Sequence, residues 1–542
     1  MMQFPNLKFV EKYYFPLVFL LSISLWIYAF RGYLSGQLAL TQDALPYFDH
    51  TKFFYDNITH GIYPLWDPKW HWGMPITFFL RRIGETNPLY LMIFVFHKLG
   101  FPYFMSYLLF LGSYYLFGCV GFYLLARHLL KETQAAFLAY LLLLFSSLGM
   151  KLFDSYLLLV FVPLVWFFYF LVSFCQQPRQ VFLLGLTLCG MILLTTYVPF
   201  YALTVILSFL ILFVLLYLRQ IGRFLHPPFV FLRHNKGLIC FCLIAVGLSM
   251  LPGLLMYQEA GRGEIVLPVR HWESPMDNVL GLTMDQVQMG GFTTSLLTER
   301  LVSSLKEVTS AELASLERGL SEPGSLGRGL SEPGSLGREV PAVPRPLPRP
   351  SRFQGTQLEI FSITILAYIL LGLGLFTELH KKTVLLFGLG FWFFLIILTD
   401  LTPITAFLYQ HIFYFKFFRN LHHFLWLAIL PALILFIAEQ FRLFIPEKLT
   451  SRTQKAAWLL GILLVHAGIL WFFLDQGIKL VSIYIVLGLS VFFLSFLIWG
   501  RRRRSLLVLL WLLLVTVLQP LEVFEQANRY APRLSYRMIT SS

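Results

Sequence analysis

The chain has 542 residues, of which 57% are hydrophobic and only 13% charged, with 56 phenylalanines. A mean hydropathy of +0.70 excludes an ordinary soluble domain and implies an integral membrane protein. The net charge of +14 does not point to nucleic acid, because most of the basic residues in short loops stand at the ends of apolar runs, where they orient spans and meet anionic headgroups.

Crossing the hydrocarbon core takes roughly 20 mainly apolar residues. Runs of that kind lie near 13–31, 102–126, 134–150, 155–174, 181–197, 200–218, 237–256, 358–376, 383–399, 424–441, 457–474, 480–499 and 505–519, the last being short. They predict an all-α polytopic fold of about 13 transmembrane helices, with large outer loops after the first and seventh spans. The first run follows only Lys8 and Lys12 and leads into Arg31-Gly32-Tyr33. With no small-residue cleavage site, it reads as a retained span rather than a signal peptide. A cytoplasmic N-terminus leaves nineteen Lys and Arg in the N-terminal tail and short inside loops, against Lys151, Lys416, Arg419 and Lys479 in the short outside loops. That asymmetry obeys the positive-inside rule, and it predicts a multi-pass cell-membrane protein with its C-terminus outside.

The first outer loop, 32–101, gathers acids, bases, prolines and aromatics. It reads Thr41-Gln42-Asp43-Ala44-Leu45-Pro46-Tyr47-Phe48-Asp49, then Gly61-Ile62-Tyr63-Pro64-Leu65-Trp66-Asp67, then Gly73-Met74-Pro75, Arg81-Arg82 and Asn87-Pro88. Within it, Asn57-Ile58-Thr59 matches the N-glycosylation acceptor pattern. Leu89 to Phe96 is apolar but too short to cross, which predicts a re-entrant or interfacial helix. The five cysteines lie in or beside apolar runs without a CxxC pair, so neither a disulfide framework nor a zinc site is expected.

The second large loop, 257–357, carries Leu297, Leu301, Leu305 and Val308 at helical spacing. The decapeptide Gly319 to Arg328 is then repeated from Gly329 to Arg338, and five prolines fall between Pro341 and Pro350. Two copies are too few for a solenoid, and residues 319–352 read as a disordered insertion. It separates an N-terminal transmembrane module, 1–318, from a C-terminal one, 353–542. A third outer loop runs Lys416-Phe417-Phe418-Arg419-Asn420-Leu421-His422-His423-Phe424 directly into a span. His466, alone in the middle of a span, reads as a packing histidine, and Arg501 to Arg504, wedged between apolar runs, as a topology signal.

Asp43, Asp49 and Asp67 are the candidate catalytic acids, since a carboxylate at a membrane surface can act as general base toward an acceptor hydroxyl. Asp67 between Trp66 and Pro68 also fits a helix cap or turn. Arg81, Arg82, Lys416, Arg419, His422 and His423 form the complementary set, because a departing phosphate needs fixed cations and Arg offers a bidentate fork. Adjacent histidines on a helix point apart, so no metal ligand set is read there.

With these residues in view, the chain resembles the YfhO-type bacterial membrane proteins of the GT-C (C-type integral-membrane) glycosyltransferases. The likeness rests on an Asp soon after the first span, on Gly61 to Trp66, Gly73-Met74-Pro75 and Asn87-Pro88, on Gly121 to Arg127 with Ala135-Ala136, and on Phe418 to Phe424. It covers most of residues 10–440. The resemblance implies a GT-C-like enzyme that takes a sugar from a polyprenyl-phosphate carrier on the outer face and passes it to an envelope glycan or lipid acceptor. Asp43 would be its base, and Arg419 with His422 or His423 would meet the carrier phosphate. Expected partners are membrane lipid, the lipid-linked donor and the acceptor, with no nucleic acid. No cofactor is required by the pattern, though a divalent metal is compatible with it. Two other classes fit the composition, a transporter or lipid flippase and a non-catalytic membrane scaffold. Transport is disfavoured by the lack of ionisable residues deep inside spans, with Glu359, Glu378, Asp400 and Glu439 all near span ends.

Overall fold

A computed structural model describes residues 7–38, 40, 44–62, 64, 66–67, 74–75, 87–150, 155–196, 199–261, 369–370, 425–444, 451–475, 481–499 and 505–529. Among them every regular element is helical except one short antiparallel ladder. The helices are α1 (Leu7–Ala29), α2 (Arg31–Leu34), α3 (Ala44–Thr59), α4 (Met92–Lys98), α5 (Tyr103–Leu130), α6 (Thr133–Leu144), α7 (Ser147–Met150), α8 (Ser155–Gln176), α9 (Gln180–Thr195), α10 (Pro199–Tyr217), α11 (Ile221–His234) and α12 (Lys236–Gly261), followed by α13 (Leu430–Phe444), α14 (Arg452–Asp475), α15 (Val481–Trp499) and α16 (Ser505–Arg529). Short 3-10 turns precede α4 and α11, and a π-helical turn, Leu425–Ile429, leads into α13. Among the described residues, three stretches are long and apolar enough to cross a membrane: Tyr103–Leu130, Leu157–Gln176 and Tyr201–His234. The expected runs at 358–376 and 383–399, and the 319–352 insertion, lie outside the described residues apart from 369 and 370.

The centre of the molecule is α6, whose residues from Gln134 to Leu144 are all buried. It packs against α5, α13 and α16, while α5 in turn packs against α8, and α8 against α9. Glycines allow the close approach. A Cβ on Gly118 would stand 2.7 Å from Val162, one on Gly121 2.7 Å from the Trp166 indole, and one on Gly185 2.6 Å from Phe170. Between helices in lipid, such small residues let backbones meet where no hydrophobic force holds them together. Trp166 adds a hydrogen bond from its indole to the Phe117 carbonyl, 3.2 Å, and stacks on the Phe117 ring. Gly121 and the pair Ala135-Ala136 lie in packed interfaces, with Ala126, Ala135 and Ala136 fully buried, while Arg127 at the end of that stretch is exposed.

The run expected to cross at 134–150 is broken. At about 1.5 Å per residue, the twelve residues of α6 reach well short of a hydrocarbon core of roughly 30 Å. The chain leaves the helix at Phe145 and resumes as α7. The carbonyl of Leu143 is satisfied by the hydroxyls of Tyr115 at 2.5 Å and Ser146 at 2.7 Å, as a buried carbonyl requires. Gly149 closes the turn, because a Cβ there would collide with the Leu144 carbonyl and the Tyr115 hydroxyl.

Two further differences from the sequence reading concern helices taken as loop. Residues 44–59 form α3 inside the first large loop, and residues 221–234 form α11 between two spans. The apolar stretch near Leu89 is helical, as its composition predicts: the 3-10 turn Pro88–Leu91 runs into α4, which packs on α5. His466 is buried in α14, with its Nδ1 2.7 Å from the Ile462 carbonyl. Glu439 is buried near the end of α13 and accepts two hydrogen bonds from Arg442, at 2.6 and 2.8 Å.

Candidate functional site

Helix α3 owes its position to one aromatic face. Tyr47, His50, Thr51 and Tyr55 are buried along it, the i, i+3, i+4 spacing of an amphipathic helix. Phe48 meets Tyr103, Phe104 and Tyr107 at the start of α5, with ring centroids 5.4 to 5.7 Å apart. Tyr55 lies against Phe94 and His97 of α4 and against Tyr103. The helix stops at a glycine in left-handed conformation, Gly61 with φ +75°. Gly61 N–H donates to the Ile58 carbonyl and Ile62 N–H to that of Asn57, the paired bonds of a Schellman cap.

The opposite face carries acids. Asp49 and Asp56 are both exposed, and seven residues, about two turns, place them on the same side of the helix with Lys52 between. Asp49 is thus the one candidate acid whose side chain the structure places, on a helix rather than a loop. Asp67 forms part of a strand, β1 (Trp66–Asp67), antiparallel to β2 (Met74–Pro75), with Asp67 opposite Met74. It is extended backbone, so the expectation of a helix cap is corrected. Asp43, Arg81, Arg82, Lys416, Arg419, His422 and His423 lie outside the described residues.

Asn87, quoted above only as part of a motif, anchors the end of this loop. Its Oδ1 accepts from Leu89 N–H, capping the 3-10 turn that begins with Pro88, and its amide donates to the Tyr114 hydroxyl at 2.8 Å. Asn87 is 3% exposed, so both bonds are shielded from water. Tyr90, three residues on, is buried against Phe54, Phe94 and Phe110 and donates to the Thr51 carbonyl of α3 at 3.4 Å. Burial beside the end of α1 pushes the Tyr33 phenol up to about 12. The Asn57 amide is itself engaged, donating to the Phe53 carbonyl at 2.8 Å within α3. The acceptor pattern there sits in a helix and not in a surface loop.

Helix α8 links this loop to the third one. Both α3 and the π-helical turn Leu425–Ile429 pack against α8, and the same turn also touches α10. That turn begins two residues after His423. Single π turns inside helices recur at functional sites, since the extra residue widens the helix and re-aims the side chains beside it. The signal for α3 was present in the spacing of Tyr47, Thr51, Tyr55 and Ile58, whereas nothing in the composition marks the π turn. Among the described residues no group of three or more His, Cys, Asp or Glu is close enough to hold a metal ion.

No family model matches the chain, and neither a curated protein nor a solved structure matches it.

Proposed function

We propose that the protein transfers a sugar from a polyprenyl-phosphate carrier to a glycan or lipid acceptor at the outer face of the membrane, on a GT-C-like fold of about 13 spans. The observation that carries this reading is the shared neighbour. The helix bearing Asp49, which begins one residue after Asp43, and the turn that follows Arg419, His422 and His423 both pack on α8. Two segments that adjoin these acids and cations in sequence thus share one neighbour. In the reaction, the acceptor oxygen attacks the anomeric carbon while the carboxylate takes its proton. The bond from that carbon to the carrier phosphate breaks, and the cations receive the charge left on the phosphate.

Protein in liposomes, supplied with a radiolabelled polyprenyl-phosphate sugar and membrane acceptors, tests the proposal. General-base catalysis contributes roughly 10²- to 10⁴-fold, so Asp43→Asn should reduce transfer by at least about 100-fold. Arg419→Ala and the double His422→Ala, His423→Ala variant should lower transfer while leaving the folded protein intact by size exclusion. Asp49→Asn and Asp67→Asn distinguish the three acids. Transfer that survives all three acid substitutions would remove this chemistry from the first loop.

A further inference from the structure

We propose that α11 is an interfacial helix that binds the anionic surface of the bilayer, a role independent of any sugar transfer. The chain bends sharply where it enters this helix. In an unbroken helix Phe213 and Phe224 would be about 16 Å apart along the axis, yet their rings lie 5.5 Å apart, and Phe224 also meets Tyr217 at 5.7 Å. The bend falls in the 3-10 turn Leu218–Gln220. The 34 residues Tyr201–His234 are therefore one span, α10, and a second helix folded back at its end.

Around its axis α11 has three sectors. Phe224, Pro228 and Phe231 face the protein, where Pro228 is buried and Phe231 meets Phe174 of α8 at 5.6 Å. Next to them Leu225 and Phe229, four residues apart, are 52% and 67% exposed. Beyond those come the basic residues Arg223, His226, Arg233 and His234, all exposed, with Val230 among them, 39% exposed, and the helix has no Asp or Glu. A protein-facing, an apolar exposed and a cationic sector in that order is the arrangement of a helix lying in the headgroup region.

The flanking span shows where the bilayer lies. Leu207, Ile211, Leu215 and Leu218 are exposed in a stripe at helical spacing down α10, and this stripe leads to the bend. Leu225 and Phe229 thus follow directly from an apolar exposed surface, and the cations lie on the side away from it. An anionic phospholipid headgroup complements that charge.

The test uses the full-length protein in nanodiscs of phosphatidylcholine alone or in an equal mixture with phosphatidylglycerol. Nitroxide labels are placed by Leu225→Cys, Phe229→Cys or Arg233→Cys in a variant whose native cysteines are replaced by alanine. In the anionic discs, labels at 225 and 229 should be relaxed by oxygen and shielded from a water-soluble nickel chelate, while the label at 233 should show the reverse. Arg223→Glu with Arg233→Glu should abolish the difference between the two lipids at 225 and 229. Hydrogen exchange of the unaltered protein needs no variant, and amides of 221–234 should exchange more slowly in the anionic discs. Access of the chelate to 225 and 229 in both lipids would put the helix in water and overturn the proposal. Shielding from both reagents would mean that a second protein chain covers the face, and would overturn it as well. Equal behaviour in the two lipids would remove the anionic headgroup as the ligand.

Discussion

Helices α5 and α10 are both apolar enough to span a bilayer, but the structure uses them in opposite ways. In the spanning window of Tyr103–Leu130, 61% is buried inside the protein, against 17% for Tyr201–His234, although the latter is the more apolar. In water this order would be reversed, because the most apolar surface is hidden first. In lipid the hydrocarbon is as apolar as a leucine, so hydropathy identifies a span and says nothing about which side meets protein. What separates the two helices is small residues and hydroxyls. Helix α5 has Gly118 and Gly121 set against Val162 and Trp166, and Tyr114 and Tyr115 hydrogen-bonded to Asn87 and the Leu143 carbonyl. Helix α10 presents the exposed stripe Leu207, Ile211, Leu215.

The comparison is most severely tested where α5 meets α8. Gly121→Leu would drive a side chain into the Trp166 indole, which cannot withdraw because it is stacked on Phe117. Overpacking of this kind should cost about 3 kcal/mol, read as a fall in the midpoint of thermal unfolding in detergent. A neutral result would mean that the close approach of these two helices is not what holds them. Next in size is Asn87→Leu, which removes a cap and leaves the Tyr114 hydroxyl buried without its donor. About 2 kcal/mol should be lost. A double-mutant cycle with Tyr114→Phe should return a coupling of about 1 kcal/mol, and additive losses would show that the bond contributes little.

The same contrast explains which parts of the fold were legible in the sequence. The runs that became α1, α5, α8, α9, α10 and α12 are visible as apolar stretches because hydropathy is the property that inserts them. The break after Leu144 is not visible, since the residues from Ala135 to Phe145 are nearly all apolar and no period distinguishes a twelve-residue helix from a longer one. It depends on Tyr115, 28 residues before Leu143, supplying a hydroxyl to a freed carbonyl. Helix α3 escapes a hydropathy reading because its buried face is made of Tyr, His and Thr, which carry little hydropathy but fill an aromatic pocket formed by α4 and α5. Helix α11 looks like a basic loop by composition, since only the arrangement of its residues around an axis shows the amphipathic helix. In the candidate site, the residue types were legible from composition. That Asp49 stands on a helix packed against α8, and that Asn87 holds the loop down, needed contacts between segments far apart in sequence.

The smallest predicted effect is the sharpest statement of the comparison. Ile211→Ala removes three methyl or methylene carbons from a side chain that is 58% exposed on α10. In a soluble core such a truncation costs roughly 2–5 kcal/mol, largely through lost transfer energy and the cavity left behind. On a lipid-facing surface neither term applies, because acyl chains move into the space and the environment stays apolar before and after. The change should therefore fall within about 0.5 kcal/mol, measured in the same detergent unfolding series as Gly121→Leu. A loss as large as that of Gly121→Leu would mean that Ile211 is covered by protein in the assembled state, and the exposed stripe of α10 would then be an interface between chains and not a face turned to lipid.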